Sequence, residues 1–333
     1  MKIDASMLPM PTRLAAGWAA RRTIAARQVP PSELLLARKR SEGVRISVGI
    51  PVLNEADTIG RICRVIERDL IRQTALVDEL VVIDGGSTDD TAARALGCGA
   101  CVVDTSELLP EVPPCAGKGD AIWRALTVLS GDIVVGVDAD IRNFESRFVT
   151  RLVAPLLMDP TVGFVKGFYQ RPIEIDGVLH PAGGGRVTEL LARPLLNLLF
   201  PELGGFLQPL AGEFAARTHL LHSVPLFTGY SFETALLIDM LEVVGLDGMA
   251  QVDLEQRVHR NRTIDELGPR ALAIARTILG RAQERRRIKV APNVRVHPLL
   301  IADQNGRAGA TRVDEVERPP MQHAPSYLEA LRA

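Results

Sequence analysis

The chain has 333 residues, 47% of them apolar and 24% charged, with a formal net charge of −1. That composition suits a globular protein with a large core, and it excludes nucleic-acid binding by bulk charge, so any anion must be held by local basic residues. The length admits one elaborated α/β domain or two domains.

Residues 1–43 read as an N-terminal extension with a helix or two. They contain scattered Arg and Pro and lack the uninterrupted apolar core of a signal peptide. Arg45–Val52 (RISVGIPV) is a β-rich apolar run and predicts a buried strand, after which Asn54-Glu55-Ala56-Asp57 opens a helix. Glu79–Asp84 predicts a second strand, ending at the turn Gly85–Asp90 before a helix from Thr91. Ala100–Asp104 is a short third strand. Gly117-Lys118-Gly119 leads into a helix over Asp120–Leu129, and Asp132–Val137 is a fourth strand followed at once by Asp138-Ala139-Asp140. Val162–Phe168 fits another strand. Beyond it come a glycine-rich loop (Pro181–Thr188) and helical stretches at Glu189–Leu199, Gly229–Val244 and Ala271–Arg287. The polar tail after Asp303, with its prolines, reads as loop or partly disordered.

Alternating strands and helices predict an α/β doubly wound, mostly parallel sheet. Such sheets bind ligands at the carboxyl ends of their strands. Pro51–Glu55, Asp84–Asp90 and Asp138–Asp140 all stand there, so they converge in space although far apart in sequence. A strand ending in Asp-x-Asp suits a hard divalent cation on a nucleotide diphosphate, since Mg²⁺ and Mn²⁺ take oxygen ligands and keep positions for phosphate and water. Taken alone, that pair equally fits a helix cap. Gly183-Gly184-Gly185-Arg186 offers backbone N–H groups and a guanidinium fork, an anion nest or else a flexible linker. Cys63, Cys98, Cys101 and Cys115 include one CxxC but no second half of a zinc set, and read as small thiols in a reducing cytosol. The apolar stretch Leu190–Leu210 is broken by Arg193, Pro194, Pro201 and Glu202 and does not read as a membrane span. A cytoplasmic enzyme with no membrane and no nucleic-acid partner is expected.

The series IPVLNEADTI, VVIDGGSTDDT, GKGDAIWRAL and DIVVGVDADI resembles the nucleotide-sugar half of GT-A glycosyltransferases. With VKGFYQRP, GGGRVTELLARPLL, PELGGFLQPLAGEFA and VHRNRTIDELG, the stretch from Arg45 to Gly268 is similar to the actinobacterial glucosyl-3-phosphoglycerate synthase family and to mannosyl-3-phosphoglycerate synthases. The resemblance implies a GT-A fold, with a nucleotide-sugar half at 44–141, an acceptor-binding half at 142–302 and a C-terminal tail at 303–333. It implies a retaining transferase that uses Mg²⁺, with Mn²⁺ or Co²⁺ as substitutes. The hexose would pass from a nucleotide-sugar donor to the 2-hydroxyl of 3-phosphoglycerate, as a step toward a compatible solute or polysaccharide, in a homodimer. By motif, Pro51, Leu53, Glu55 and Gly86 would hold the nucleoside. Lys118 would meet base or diphosphate, and Asp138 and Ala139 would face ribose or sugar. Asp140 and His259 would bind the metal, and Gly185, Arg186 and Thr188 the acceptor. Leu210, through its backbone, and Glu233 would hold the sugar, while Arg257 and Asn261 would assist phosphates and acceptor.

This chain departs from the glucosyl pattern at Gly85, Ala139 and Ser231-Phe232. Those changes favour mannose from GDP-mannose, with glucose from GDP- or UDP-glucose also accepted. A strictly glucosyl enzyme, a polyprenyl-phosphate transferase and a non-catalytic nucleotide-sugar-binding regulator are the alternatives.

Overall fold

A computed structural model describes residues 7–170, 173–175, 178–180, 185–258, 263–291, 299–302 and 307–324. Its frame is an eight-stranded sheet. In chain order the strands are β1 (Thr23–Ile24), β2 (Ile46–Val52), β3 (Glu79–Asp84), β4 (Cys101–Asp104), β5 (Ile133–Gly136), β6 (Phe164–Gln170), β7 (Phe214–Arg217) and β8 (Met249–Gln256). They lie side by side as β1-β8-β6-β7-β5-β2-β3-β4. Seven run parallel, and β7 alone is antiparallel, wedged between β5 and β6.

The central strand β2 is buried at every residue, as its unbroken apolar run requires when both sheet faces are covered. Its even positions Ile46, Val48, Ile50 and Val52 share a core with Ile59 and Ile62 of α3 (Ala56–Val65) and with Phe148, Leu152 and Leu156 of α6 (Arg147–Met158). The opposite face carries Val81, Ile83, Val134 and Phe214. There they meet α5 (Lys118–Ala125), α7 (Arg193–Leu199) and α9 (Phe232–Val244). The remaining helices are α1 (Met10–Arg22), α2 (Ser32–Glu42), α4 (Thr91–Leu96), α8 (Thr218–Ser223) and α10 (Ile264–Glu284).

The two ends of the chain are built into this body. Trp18 of α1 is fully buried, donates to the Met249 carbonyl at 2.9 Å and packs on Phe206 with ring centroids 4.3 Å apart. The segment then enters the sheet as β1 beside β8. At the other end the expected loop-like tail contains ordered structure. Ala308–Thr311 pairs with Leu299–Ala302, Glu317–Arg318 pairs with Leu226–Phe227, and Met321 and Ala324 are buried. A sequence reading discounts this segment as polar, but the body covers Met321 and Ala324. Among the described residues no helix is long and apolar enough to cross a membrane. The four cysteines are free thiols; Cys63 is buried and Cys101 exposed.

Trp18→Ala removes a buried ring and its hydrogen bond, and is expected to cost about 3–5 kcal/mol in chemical denaturation. A loss under about 1 kcal/mol would show that α1 is not integral to the fold.

Candidate active site

The strand ends are stitched together by hydrogen bonds. Gly85 N donates to the Val52 carbonyl at 2.9 Å, joining the first two strand ends. Asn54 has φ +56°, and its N–H donates to Ser87 Oγ at 2.9 Å while its Oδ1 accepts from Thr88 N at 2.8 Å. Asn54 therefore cross-links the two loops, and Glu55 is the residue that enters α3. Asp84 Oδ1 accepts from Gly86 N and Ser87 N, and Gly86 at φ +91° leaves open space where a side chain would stand. Thr58 Oγ1 donates to the Ala139 carbonyl at 2.6 Å, tying this pair of loops to the third strand end. Pro51 is buried, whereas Leu53 is exposed beside them.

The third strand end carries the charges. Asp138 accepts from Lys118 through Oδ1 and from Arg257 Nη2 through Oδ2 at 2.9 Å. Arg257 Nη2 also donates to Asp140 Oδ1 at 2.6 Å, while its Nη1 donates to the Tyr169 hydroxyl at 2.7 Å and lies 3.1 Å from Glu213. Lys118 donates to Glu233 at 3.0 Å and to the Gly212 carbonyl at 3.2 Å. Lys118, Asp138, Asp140, Glu233 and Arg257 thus form one network.

Neighbouring backbone aims these groups. Past Asp140, Arg142 N donates to the Val258 carbonyl, and Asn143 accepts from Val258 N and donates to the Gln256 carbonyl. That clamp holds Arg257 over the aspartates. It follows a register shift in β8 at which Glu255 takes φ +67°, held by Arg147 and Arg151 at 3.1 and 3.2 Å. Gly212 is required because a Cβ there would lie 2.3 Å from an Asp138 oxygen. Leu210 lies half-buried in the same loop, whose Ala211 carbonyl accepts from the buried ammonium of Lys166.

The field inside the network follows from burial and pairing. Burial disfavours the charge on Asp138, but Lys118 and Arg257 outweigh it and hold the carboxyl well below its ordinary range. Burial likewise opposes the Lys118 charge, and Asp138 and Glu233 reverse the effect and raise its pKa. Glu213, fully buried, is pushed up by burial against the pull of Arg257. For Lys166 burial outweighs the pull of Glu233, Glu213 and Asp138 and brings it down to about 8.

Other expected residues stand apart from this network. Gly185, at φ +82°, opens the helical run that contains Arg186 and buried Thr188 and continues into α7. His259 and Asn261 lie outside the described residues, as do Gly183 and Gly184. Ala139 is buried and belongs to the core that includes Ile59 and Ile62 of α3. Sequence reasoning missed Glu213, Gly212, Tyr169 and Asn143. The motif that contains Leu210 also contains Gly212 and Glu213, the signal by which a sequence could point to them.

Two aspartates at a strand end supply the hard oxygen ligands that Mg²⁺ or Mn²⁺ prefers, and the side chain of Asp140 keeps 25% of its surface exposed. Among the described residues no group of three or more His, Cys, Asp and Glu side chains gathers as a metal site. The aspartates fit a hard divalent cation, for which oxygen ligands are the preferred donors.

Comparison with known proteins settles the family. The chain is 41% identical over 297 residues to a glucosyl-3-phosphoglycerate synthase of Petrotoga mobilis, covering 89% of this chain and 91% of that protein. The chain belongs to the glucosyl-3-phosphoglycerate synthase family. Residues 47–183 match glycosyl transferase family 2. Among family structures, glucosyl-3-phosphoglycerate synthase from Mycobacterium tuberculosis, in complex with Mn²⁺, UDP and glucosyl-3-phosphoglycerate, superposes with a TM-score of 0.78 at 43% identity. It covers 90% of this chain and 98% of that one. Mannosyl-3-phosphoglycerate synthase from Rubrobacter xylanophilus superposes with a TM-score of 0.84 at 41% identity, covering 92% and 97%. The expected GT-A architecture and hexosyltransferase class stand.

Arg257→Met leaves Asp138, Asp140 and Glu213 without their common counter-charge. Removing one partner of a buried ion pair costs about 3–5 kcal/mol, and that loss is expected at neutral pH in urea denaturation. The wild-type Asp138 carboxyl is depressed by this pairing, so its stabilisation is present above the unfolded carboxylate pKa and is lost as pH falls. The difference between variant and wild type should therefore narrow on acidification below about pH 4. A gap independent of pH would show that the carboxylates do not depend on Arg257.

Proposed function

We propose that the chain transfers a hexose from a nucleotide-sugar to the 2-hydroxyl of 3-phosphoglycerate with retention at the anomeric carbon. The observation that carries this reading is the Lys118–Asp138–Arg257–Asp140 network at the strand ends, with Glu233 joined to it. In this assignment Pro51, Leu53, Glu55 and Gly86 take the nucleoside, and Asp138 with Lys118 faces the donor between base and sugar. Gly185, Arg186, Thr188 and Asn261 take the acid acceptor, whose phosphate and carboxylate suit a guanidinium fork. Asp140 and His259 hold the cation. When bound, a divalent cation neutralises charge on the diphosphate as its bond to the sugar breaks. The 44–141 segment serves the donor and the 142–302 segment the acceptor, in a cytoplasmic homodimer.

Glu233 is already neutralised by Lys118 and suits the holding of sugar hydroxyls better than nucleophilic attack. Front-side transfer follows: the acceptor oxygen bonds to the anomeric carbon on the face the diphosphate leaves, and the acceptor proton passes to a diphosphate oxygen. The Leu210 backbone and the loop fixed by Lys118 and Lys166 border that sugar.

Donor choice is read more broadly than the sequence suggested. Ala139 and Phe232 are both buried, and the Phe232 ring lies 6.0 Å from Lys118 Nζ, beneath the network rather than on its open side. The relatives of similar identity are named for glucose in some cases and mannose in another. We assign tolerance for both.

A matrix of UDP-glucose, GDP-glucose and GDP-mannose, each with and without 3-phosphoglycerate, tests the reading. Product is expected only with the acceptor, and chelation by EDTA should abolish it until Mg²⁺ or Mn²⁺ is restored. No product with 3-phosphoglycerate would overturn it. Glu233→Gln is expected to lower kcat while leaving substantial turnover; loss of all but about 10⁻⁴ or less of wild-type kcat would instead mark a nucleophile.

A further inference from the structure

Helix α9 carries Glu233 near its start, yet its own cap is empty. Ser231 occupies the cap position without making a side-chain cap bond, and its Oγ is buried with no partner. The anionic cap comes from a distant segment. Glu315 accepts from Tyr230 N at 2.7 Å through Oε1 and from Ser231 N at 3.1 Å through Oε2. A carboxylate there satisfies backbone donors that the helix cannot satisfy itself and complements the positive end of its dipole. The carboxylate packs directly on Gly229, where a Cβ would lie 2.3 Å from Glu315 Oε1 and would displace it.

The same strap reaches the other side of the network. Val316 exchanges two hydrogen bonds with Thr228, through Thr228 N to the Val316 carbonyl and Val316 N to Thr228 Oγ1. The Thr228 carbonyl in turn accepts from Asp120 N, in the first turn of the helix that Lys118 begins. Gly117 and Gly119 flank Lys118 and press on this carbonyl and on that of Phe227 so closely that a Cβ on either would overlap the oxygen. Arg318 then donates to Asp120 Oδ1 at 2.7 Å. Both ends of the Lys118–Glu233 ion pair therefore rest on residues 315–318.

We propose that Glu315 is a positioning residue for the donor sugar, acting through the first turn of α9 on Glu233 and, with Val316 and Arg318, on Lys118. The proposal rests on the reading of Glu233 as a sugar-holding group.

Four measurements on Glu315→Ala test it in the full chain. Amide hydrogen exchange over 230–234 should quicken, and this holds whatever the substrate. Calorimetry should show the extra affinity of UDP-glucose over UDP, both with Mn²⁺, shrinking while UDP affinity stays. Transfer kcat should fall by about 10-fold to 100-fold, the scale expected for a small misplacement, with KM for 3-phosphoglycerate unchanged. Glu315→Gln, which keeps one acceptor oxygen, should fall between. Gly229→Ala, which displaces the carboxylate, should reproduce Glu315→Ala, and the double variant should be no worse than either. Unchanged exchange in the first turn of α9 overturns the proposal. So does a loss of kcat that disappears well below a lowered melting temperature. A wild-type protein that shows no nucleotide-sugar binding and no transfer instead defeats the functional reading, leaving the exchange result to judge the strap.

Discussion

One guanidinium organises the reactive end of this sheet. Arg257 brings together Asp138, Asp140 and Glu213, three carboxylates from two separate strand ends that would otherwise repel one another in a partly dry site. An arginine suits the position because its planar fork reaches several acceptors at once and does not lose its charge on burial. Its placement depends on a strained step, since β8 must shift register and Glu255 must adopt a left-handed conformation for the next turn of chain to face inward. Backbone strain of this kind persists where surrounding contacts over-determine it, here the arginines of α6 and the Asn143 clamp.

The lysine side of the network obeys a different constraint, close backbone contact. Gly117, Gly119 and Gly212 are placed where any side chain would collide with a carbonyl or with Asp138. These contacts make Lys118, Glu233 and the loop carrying Gly212 a single packed unit. The antiparallel strand β7 contributes by delivering Gly212 and Glu213 from the opposite direction to the ends of β5 and β6.

Much of the first half of the chain was legible because its signals are local. The apolar run Ile46–Val52, the strand Glu79–Asp84 and the loops after them declare themselves through composition and turn chemistry. Their convergence followed from parallel topology alone. The second half was less legible. Phe214–Arg217 is four residues long and half alanine, so its period is too short to read, although it lies at the centre of the sheet. Helix α10 begins at Ile264, earlier than apolar periodicity suggested, because a Thr263–Glu266 capping box starts it ahead of Pro269. Glu213 and Tyr169 matter only through Arg257, and no spacing in the sequence connects residues so far apart.

The remote cap on α9 also has a temporal side. A ribosome releases Ser231 before Glu315, 84 residues later, a delay of roughly 4–17 s at about 5–20 residues per second. Within that interval strand β8 and Arg257 are also made, so the sheet and the ion network are complete in the chain before the carboxylate that accepts from Tyr230 N and Ser231 N. The entry of α9 is thus finished by a segment made after the sheet it packs on, and a chain cut between Arg257 and Glu315 would keep the network residues while losing that support.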